Sequence, residues 1–343
     1  MVVWTSLRRH LRHALHESLR RRALAMGPEG AVGTPTVTLA RIVGNDLSPR
    51  HADGQARRNL DVILAKEPAP EGWDKLFILN RWFDPSAAGA AARAIRAAGH
   101  RVIDIPFDPA AYAKAKTDWR FLSPEPERAV ARLARLDRAR ADRARLWAVR
   151  AKLSAAIGLN EARNLALAHG GDWTLVLDGG CFAPEASLAA LRHDMEGPPF
   201  APCLVVPMVR LDDGDLTRPP LPAWREEPQI ALHRSARLRF DPRFPYGLRD
   251  KTALFTAMGL PGPWDDWARD RFLPAPEPTP DRHRYKRASA AVLRLPSAVG
   301  LESAGAQPSR HRARMAAICA TLIHLDRVTD APDAALTRRL LDG

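Results

Sequence analysis

Strand-like and helix-like patterns alternate along the chain, and this alternation constrains the fold more than any other feature of the sequence. Four apolar runs have the length and composition of buried strands, at residues 36–43, 76–79, 102–105 and 173–177. Segments with helical spacing separate them, at residues 55–64, 87–98 and 126–156. Strands that alternate with helices predict an α/β fold with a mainly parallel, doubly wound sheet and flanking helices.

Beyond residue 200 the pattern predicts shorter elements. We expect strands at residues 203–209, 229–233, 237–240 and 290–295, and helices at residues 250–258 and 309–327. Pro207 predicts an edge or a bend near the end of the first of these strands, because proline cannot donate a hydrogen bond to a neighbouring strand. Gly259 has the position of a helix C-cap.

The first 34 residues differ in character from the rest. Residues 4–26 place leucines and a tryptophan at helical spacing with arginines around them, which predicts a basic amphipathic helix. Two interpretations stay open: the helix could make a peripheral contact with an anionic membrane surface, or it could pack on its own domain with its arginines in water. We divide the chain into residues 1–34 with this helix and a spacer, an α/β domain at residues 35–275, and a C-terminal helical extension at residues 276–343.

Composition predicts a folded protein with anionic partners. The chain has 343 residues, of which 46% are hydrophobic, and a formal net charge of +13. A charge of this sign favours sugar nucleotides, phospholipid surfaces or nucleic acid as partners. The arginines are scattered, however, and the sequence has no zinc-finger, helix-turn-helix or RRM-like signature, so we expect no specific nucleic-acid partner.

Several other function classes lack their sequence signatures. The sequence has no GxxxxGK[ST], no GxSxG and no GxGxxG after a strand, which argues against the usual kinases, hydrolases and dehydrogenases. Its three cysteines are too few and too scattered for a disulfide framework or a CxxC metal site. The N-terminus carries arginines where a signal peptide has its apolar stretch, and no apolar run reaches about 18 residues, so we expect a cytoplasmic chain.

The segment 159–182 brings a carboxylate to the end of a strand. Arg163 and Asn164 lie in a helical pattern, an apolar strand follows at residues 173–177, and Asp178 precedes two glycines. In open α/β sheets ligands collect beyond the carboxyl ends of the strands, so Asp178 could approach a phosphate-bound metal ion or a sugar hydroxyl closely. The alternative is an aspartate that caps the next helix.

Asn45 and Asp46 follow the first predicted strand in the same way. A carboxylate at this point can accept hydrogen bonds from ribose hydroxyls, as it does in other nucleotide-binding α/β folds. The alternative is that both side chains make the turn and cap the next helix, which is their commonest use. The sequence leaves these two roles open.

Several motifs together resemble an uncharacterised bacterial family of glycosyltransferase-like proteins. They are Ile42 to Asp46 with Pro49-Arg50-His51, Asn59 to Leu64, Glu67-Pro68, Leu79-Asn80-Arg81, Ala162-Arg163-Asn164, Asp178-Gly179, Glu227-Pro228-Gln229, Tyr246-Gly247 with Lys251, and Gly262 to Asp265. They span roughly residues 36 to 270. The block around Asp178 also resembles the metal-site region of nucleotide-diphospho-sugar glycosyltransferases with the GT-A fold.

The resemblance implies a nucleotide-binding first half, with Asn45 and Asp46 near the base and ribose, and Arg163 and Asn164 beside the donor diphosphate. It also implies an acidic motif that holds Mn²⁺ or Mg²⁺ at Asp178. In GT-A enzymes this motif is commonly two aspartates around one residue, but here the sequence is Asp-Gly-Gly. Asp178 could therefore bind metal alone, bind ribose, or do neither.

An acceptor hydroxyl needs a proton acceptor, and Glu227 and Asp265 are the strongest candidates among the loop acids. Lys251 could add a cation for phosphate. We therefore expect a glycosyltransferase that uses a nucleotide-sugar donor and a glycan or lipid-linked acceptor, such as a surface polysaccharide. The alternative is a catalytically degenerate GT-A-like protein that binds a nucleotide or a glycan without turnover.

Overall fold

The computed structural model describes residues 14, 18–22, 35–197, 200–211, 216, 226–262, 273–296 and 307–341. Its strands are β1 (Val37–Val43), β2 (Trp73–Asn80), β3 (Arg101–Ile105), β4 (Trp173–Asp178), β5 (Cys181–Phe182), β6 (Cys203–Val206), β7 (Met208–Arg210), β8 (Gln229–His233), β9 (Tyr285–Arg287) and β10 (Val292–Arg294). Its helices are α1 (Gln55–Lys66), α2 (Pro85–Ala97), α3 (Pro109–Lys114), α4 (Pro126–Leu133), α5 (Arg138–Ala148), α6 (Arg150–Ala156), α7 (Leu159–His169), α8 (Glu185–Glu196), α9 (Thr252–Met258), α10 (Gln307–Val328) and α11 (Ala334–Leu341).

A seven-stranded sheet lies at the centre of the described residues, in the order β3-β2-β1-β4-β8-β6-β9. β1 pairs in parallel with β2 and β4, and β2 pairs in parallel with β3. β8 runs antiparallel between β4 and β6, while β6 and β9 are parallel. The prediction of a mainly parallel sheet is confirmed.

Helices cover both faces of this sheet. On one face, Ala40 and Ile42 of β1 pack with Ala162 and Ala166 of α7. On the opposite face, neighbouring strand residues pack against Leu188 of α8 and, further along the sheet, against α1 and α2. Because β1 and β4 are buried on both sides, they have the near-continuous apolar sequences that made them recognisable.

A second sheet of three strands, β5-β10-β7, lies beside the first. The predicted strand 203–209 is divided at Pro207 into β6, which belongs to the central sheet, and β7, which belongs to the small one. The carbonyl of Pro207 accepts a hydrogen bond from the N–H of Val292 at 3.0 Å. The bend predicted at Pro207 is therefore present. Proline has no N–H for the hydrogen bonds of the central sheet, and its carbonyl accepts a bond from the strand segment of the small sheet.

Two secondary-structure predictions need correction. The stretch 126–156 forms three helices, α4 to α6, and Asp137 starts the second of them by accepting a hydrogen bond from the N–H of Arg140 at 2.9 Å. Residues 237–240 form no strand and pair with no strand among the described residues. The N–H groups of Arg237 and Leu238 donate instead to the Asp281 carboxylate, at 2.6 and 2.9 Å.

The two ends of the chain also add detail. The segment 276–343, predicted as a helical extension, contributes β9 to the central sheet and β10 to the small one. Of the predicted helix at residues 4–26, residues 14 and 18–22 are described and helical, and the others lie outside the described residues. Arg20 donates to the carbonyl of Tyr285 at 3.3 Å, which is expected if this helix packs on its own domain. No helix among the described residues has both the length and the apolar character needed to cross a bilayer.

Candidate functional site

The end of β4 is held closely against its neighbours. A Cβ atom on Gly179 would lie 2.8 Å from the carbonyl oxygen of Ile42, so only glycine fits beside the backbone of β1 at this point. The carbonyl of Gly180 accepts a hydrogen bond from the N–H of Leu295 at 2.8 Å. Asp178 is thus fixed where β1, β4 and the small sheet meet.

A pocket of about 190 Å³ lies beyond the carboxyl ends of β1, β2 and β4. Five of the eight predicted site residues line it: Asn45, Asp46, Arg163, Asp178 and Glu227. They meet because parallel strands end at the same edge of a sheet, and Ile42 of β1 is in register with Asp178 of β4.

Three cations surround the Asp178 carboxylate. Its Oδ1 accepts from Nη2 of Arg163 at 3.0 Å, and its Oδ2 accepts from Nζ of Lys251 at 3.1 Å. The Nη1 atom of Arg294 lies 4.0 Å from Oδ2. Burial opposes ionisation, but Lys251, Arg163 and Arg294 outweigh it, so the pKa of Asp178 lies far below its ordinary value.

Arg163 and Lys251 are buried and shared between acids. Arg163 also pairs with Asp250 at 3.0 Å, and Lys251 also pairs with Oε1 of Glu227 at 3.1 Å. Burial disfavours both cations, yet these carboxylates raise the pKa of Lys251 and of Arg163 above their ordinary values. Lys251 does not line the pocket, so its contact with a ligand would run through Asp178 or Glu227.

The residues after β1 line the pocket, and their side chains also make hydrogen bonds within the protein. Asp46 Oδ1 accepts from the N–H of Ala56 in the first turn of α1 at 2.8 Å. Asn45 donates to the carbonyl of Arg81 at 2.7 Å and accepts from the N–H of Phe83 at 2.8 Å. These bonds are those of the turn-and-cap alternative, and a contact of either side chain with the nucleotide stays a prediction.

Asn164, predicted to lie beside the donor diphosphate, does not line the pocket, and both ends of its amide are bonded to the backbone of Phe240. Its Nδ2 donates to the Phe240 carbonyl at 2.7 Å, and its Oδ1 accepts from the Phe240 N–H at 2.9 Å. These bonds hold Phe240 against α7, and a contact of Asn164 with the diphosphate stays a prediction.

The two predicted acid–base residues differ in what the structure describes. Glu227 lines the pocket with a side chain that is 40% exposed. Its Oε1 faces Lys251, and no hydrogen-bond partner of Oε2 occurs among the described residues. Glu227 can therefore present a carboxylate oxygen to a ligand. Asp265 lies outside the described residues.

Sequence reasoning missed much of the pocket wall. Arg294 at the end of β10 and Arg314 in α10 line the pocket, as do Arg50 and His51 from the loop after β1. Tyr246 completes this side, with the guanidinium carbon of Arg314 5.9 Å from its ring centre. Arg50, His51 and Tyr246 belong to motifs that carry the resemblance, whereas no local signal identifies Arg294 and Arg314, because these two come from distant segments of an arginine-rich chain.

The donor groups at Asp178 do not fit a divalent metal ion. Both carboxylate oxygens already face cations, and Gly180 stands where a second carboxylate would be needed. No group of three or more His, Cys, Asp or Glu side chains in the described ranges is placed to hold a metal ion. A divalent ion here would also meet the charges of Arg163, Lys251 and Arg294. We therefore derive no step through a metal ion.

No protein-family model matches the sequence, and no curated protein matches it either. Among solved structures, the chain is similar to the mannosyltransferase PcManGT from Pyrobaculum calidifontis in complex with GDP-Man and Mn²⁺. The identity is 14%, the match covers 97% of this chain and 80% of that chain, and the TM-score is 0.39. At these values the likeness carries no inference about reaction, donor or metal.

Proposed function

We propose that the protein is a glycosyltransferase that transfers a sugar from a nucleotide-diphospho-sugar donor to a glycan or lipid-linked acceptor. One observation carries this proposal: a single pocket beyond the carboxyl ends of the parallel strands combines an ionised aspartate, a partly exposed glutamate and a cationic wall. A pocket at this edge is where open α/β sheets bind nucleotides. The cationic wall suits the diphosphate, and the acids suit hydroxyl groups.

In this proposal, transfer of the sugar needs a base for the acceptor hydroxyl and stabilisation of the departing nucleoside diphosphate. Glu227 accepts the proton of the acceptor hydroxyl, because the side chain reaches the pocket and its Oε2 has no hydrogen-bond partner among the described residues. Asp178 stays ionised and accepts hydrogen bonds from hydroxyl groups of the ribose or the sugar. Arg163 and Lys251 act as positioning residues that hold both carboxylates, and Arg163 also lines the pocket.

The test measures turnover of a panel of sugar nucleotides, with and without candidate acceptors. Release of the nucleoside diphosphate is the readout. In Glu227→Gln we expect transfer to fall by about 10²–10⁴-fold, since the amide cannot take a proton. Donor binding in calorimetry should persist. Glu226→Gln is the matched control, because Glu226 pairs with Arg210 at 3.0 Å and does not line the pocket. Equal activity of the Glu227 variant and the wild type would remove Glu227 from the mechanism.

A second candidate is a nucleotide- or glycan-binding protein without turnover. Gly180 favours it, because the second carboxylate of the GT-A-like acidic motif is missing at this position. Calorimetric binding of a nucleotide together with no turnover across the acceptor panel would support this candidate. Turnover that depends on Glu227 would exclude it.

A further inference from the structure

At one end of the pocket, three arginines from distant parts of the chain face the same cavity. Arg50 lies in the loop after β1, Arg294 ends β10, and Arg314 lies in α10. Burial, together with repulsion from Arg314 and Arg294, lowers the pKa of Arg50 to about 10. Arg50 therefore stays a cation at neutral pH, and it lines one pocket with Arg294 and Arg314.

Two of these arginines lack the acceptors that buried cations normally have. The Nη1 atom of Arg50 and the Nε atom of Arg314 are buried, and neither has a hydrogen-bond partner in the described part of the chain. No ion pair joins either residue to a described carboxylate. Burying such groups is unfavourable unless something supplies the missing acceptors. An anionic ligand in the pocket would supply them.

Arg294 adds a third charge, although it lies near an acid. Its Nη1 atom is 4.0 Å from Oδ2 of Asp178, a carboxylate that already accepts from Arg163 and Lys251. A distance of 4.0 Å is too long for a hydrogen bond, and Arg294 itself lines the pocket. Arg294 can therefore present guanidinium donors to a ligand.

His51 adds a donor of defined orientation. Its Nδ1 accepts from the N–H of Leu47 at 3.1 Å, so the neutral ring carries its proton on Nε2. Burial and the charges of Arg50, Arg294 and Arg314 lower the pKa of His51 to about 3, so the ring is neutral at physiological pH. His51 can then only donate to a ligand, as the three arginines do.

Neither of the other anion-binding features of such folds is available here. The first turn of α1 lines this pocket, but the N–H of Ala56 in this turn already donates to the carboxylate of Asp46. A metal ion that bridges a diphosphate needs carboxylate ligands, and those of Asp178 face cations. The groups in this pocket that can bind a highly charged anion are therefore the three arginines.

We propose that Arg50, Arg294 and Arg314 form an anion-binding subsite that takes the diphosphate of a nucleotide ligand directly, without a bridging divalent ion. The identity of the ligand as a nucleotide diphosphate rests on the proposed function. Each planar guanidinium can bind two phosphate oxygens at once, and three of them match two adjacent phosphoryl groups. In the reaction, the same groups stabilise the negative charge of the departing nucleoside diphosphate.

The first experiment measures binding of inorganic pyrophosphate to the full chain by calorimetry. Buffers are freed of metal on a chelating resin, because a dissolved chelator such as EDTA is itself a polyanion. We expect the wild type to bind in this metal-free buffer. Binding that appears only after Mn²⁺ is added would overturn the proposal.

Gly180 allows a charge test with a matched control. A Cβ atom at this position would lie 3.3 Å from Cζ of Arg294, so a side chain here points at the subsite. Gly180→Asp adds a carboxylate and should weaken pyrophosphate binding by about tenfold or more, whereas the neutral isostere Gly180→Asn should change it by less than about threefold. Equal weakening in both variants would show that only space is at issue, and it would count against the subsite.

Arg314→Gln tests the proposal if the Gly180 variants fail to fold. It should also weaken pyrophosphate binding by about tenfold. Arg312→Gln is its control, because Arg312 is exposed on the same helix and bonds to Ser309 at 3.2 Å. Circular dichroism checks that each variant is folded. Unchanged affinity in folded Arg314→Gln would overturn the assignment.

The subsite and the proposed function can fail separately. Metal-free binding of pyrophosphate that Gly180→Asp weakens, together with no turnover of any sugar nucleotide, keeps the subsite and rejects the transferase. Turnover that requires Mn²⁺, in a protein that does not bind pyrophosphate without metal, keeps the transferase and rejects the subsite.

Discussion

Two buried charge clusters in this protein have different consequences. In the sealed cluster of Arg41, Glu67 and Lys75, side-chain exposure is 0%, 0% and 2%. Glu67 accepts from Arg41 at 2.7 and 3.1 Å, and the N–H of Ala183 donates to it at 2.9 Å. The extra positive charge is met by carbonyl groups, since Lys75 donates to the Glu67 carbonyl at 2.7 Å and Arg41 Nη2 donates to the Cys181 carbonyl at 3.0 Å. The buried Nε of Arg41 has no partner among the described residues, and Arg41 does not line the pocket.

The pocket cluster also has more cations than acids nearby, but its surplus donors meet no acceptor of the protein. The buried Nη1 of Arg50 and Nε of Arg314 lack partners among the described residues. Both atoms belong to side chains that line a cavity. The comparison teaches that surplus charge alone does not mark a site. What marks it is unpaired donors on side chains that line a cavity, as on Arg50 and Arg314 but not on Arg41.

The largest expected effect tests the sealed cluster. Glu67→Gln keeps the shape of the side chain but leaves Arg41 and Lys75 buried without an anion, so we expect a loss of roughly 3–5 kcal/mol in the free energy of unfolding. Urea unfolding at pH 7 measures it. Glu71→Gln, at an exposed position nearby, should change stability by less than about 0.5 kcal/mol. A loss below about 1 kcal/mol in Glu67→Gln would mean that this cluster is not sealed.

The sequence predicts the positions of the main strands and of the pocket. The apolar runs that became β1 and β4 identify themselves, because strands buried on both faces have near-continuous apolar sequences. Asp178 could be placed at the edge of the sheet, because parallel strands share one carboxyl edge. Its meeting with Asn45 and Asp46 in one pocket follows from the same rule.

What those side chains do could not be read in the same way. Asparagine and aspartate side chains bind nucleotides, but they also cap helices and fix turns. This applies to Asn45, Asp46 and Asn164. Only their hydrogen-bond partners in the folded chain separate the two roles. Arg294 and Arg314 were missed for a related reason: tertiary packing of β10 and α10 brings them together, and their sequence neighbourhoods contain other arginines.

The second prediction concerns the pocket cluster, and its expected effect on stability is smaller than that of Glu67→Gln. It uses the titration of His51, which lies in the pocket beside Arg50, Arg294 and Arg314. Its pKa is about 3 in the folded protein against an ordinary 6.5. Between these values the unfolded chain binds the proton and the folded chain does not, so stability falls as pH falls through this range. From pH 7 to pH 5 this amounts to roughly 2 kcal/mol.

His51→Asn should remove that dependence, because its amide oxygen can still accept from the N–H of Leu47 but does not titrate. Urea unfolding of both proteins at pH 7, 6 and 5 gives the difference in stability between them. We expect this difference to shift by roughly 2 kcal/mol in favour of the variant toward pH 5. Parallel pH profiles would show that burial and the neighbouring arginines do not hold His51 neutral.

The smallest expected effect on the free energy of unfolding comes from an exposed ion pair, which serves as a reference for the Glu67 and His51 predictions. Arg57 and Asp61 form an ion pair at 2.8 Å on the surface of α1, with side chains 43% and 52% exposed. Because water solvates both charges after the pair is broken, Asp61→Asn should lower the free energy of unfolding by only about 0.3–0.5 kcal/mol, and less in high salt. Urea unfolding in low and high NaCl measures this. A loss comparable to that of Glu67→Gln would show that charge pairing itself, rather than burial without an alternative partner, determines the cost.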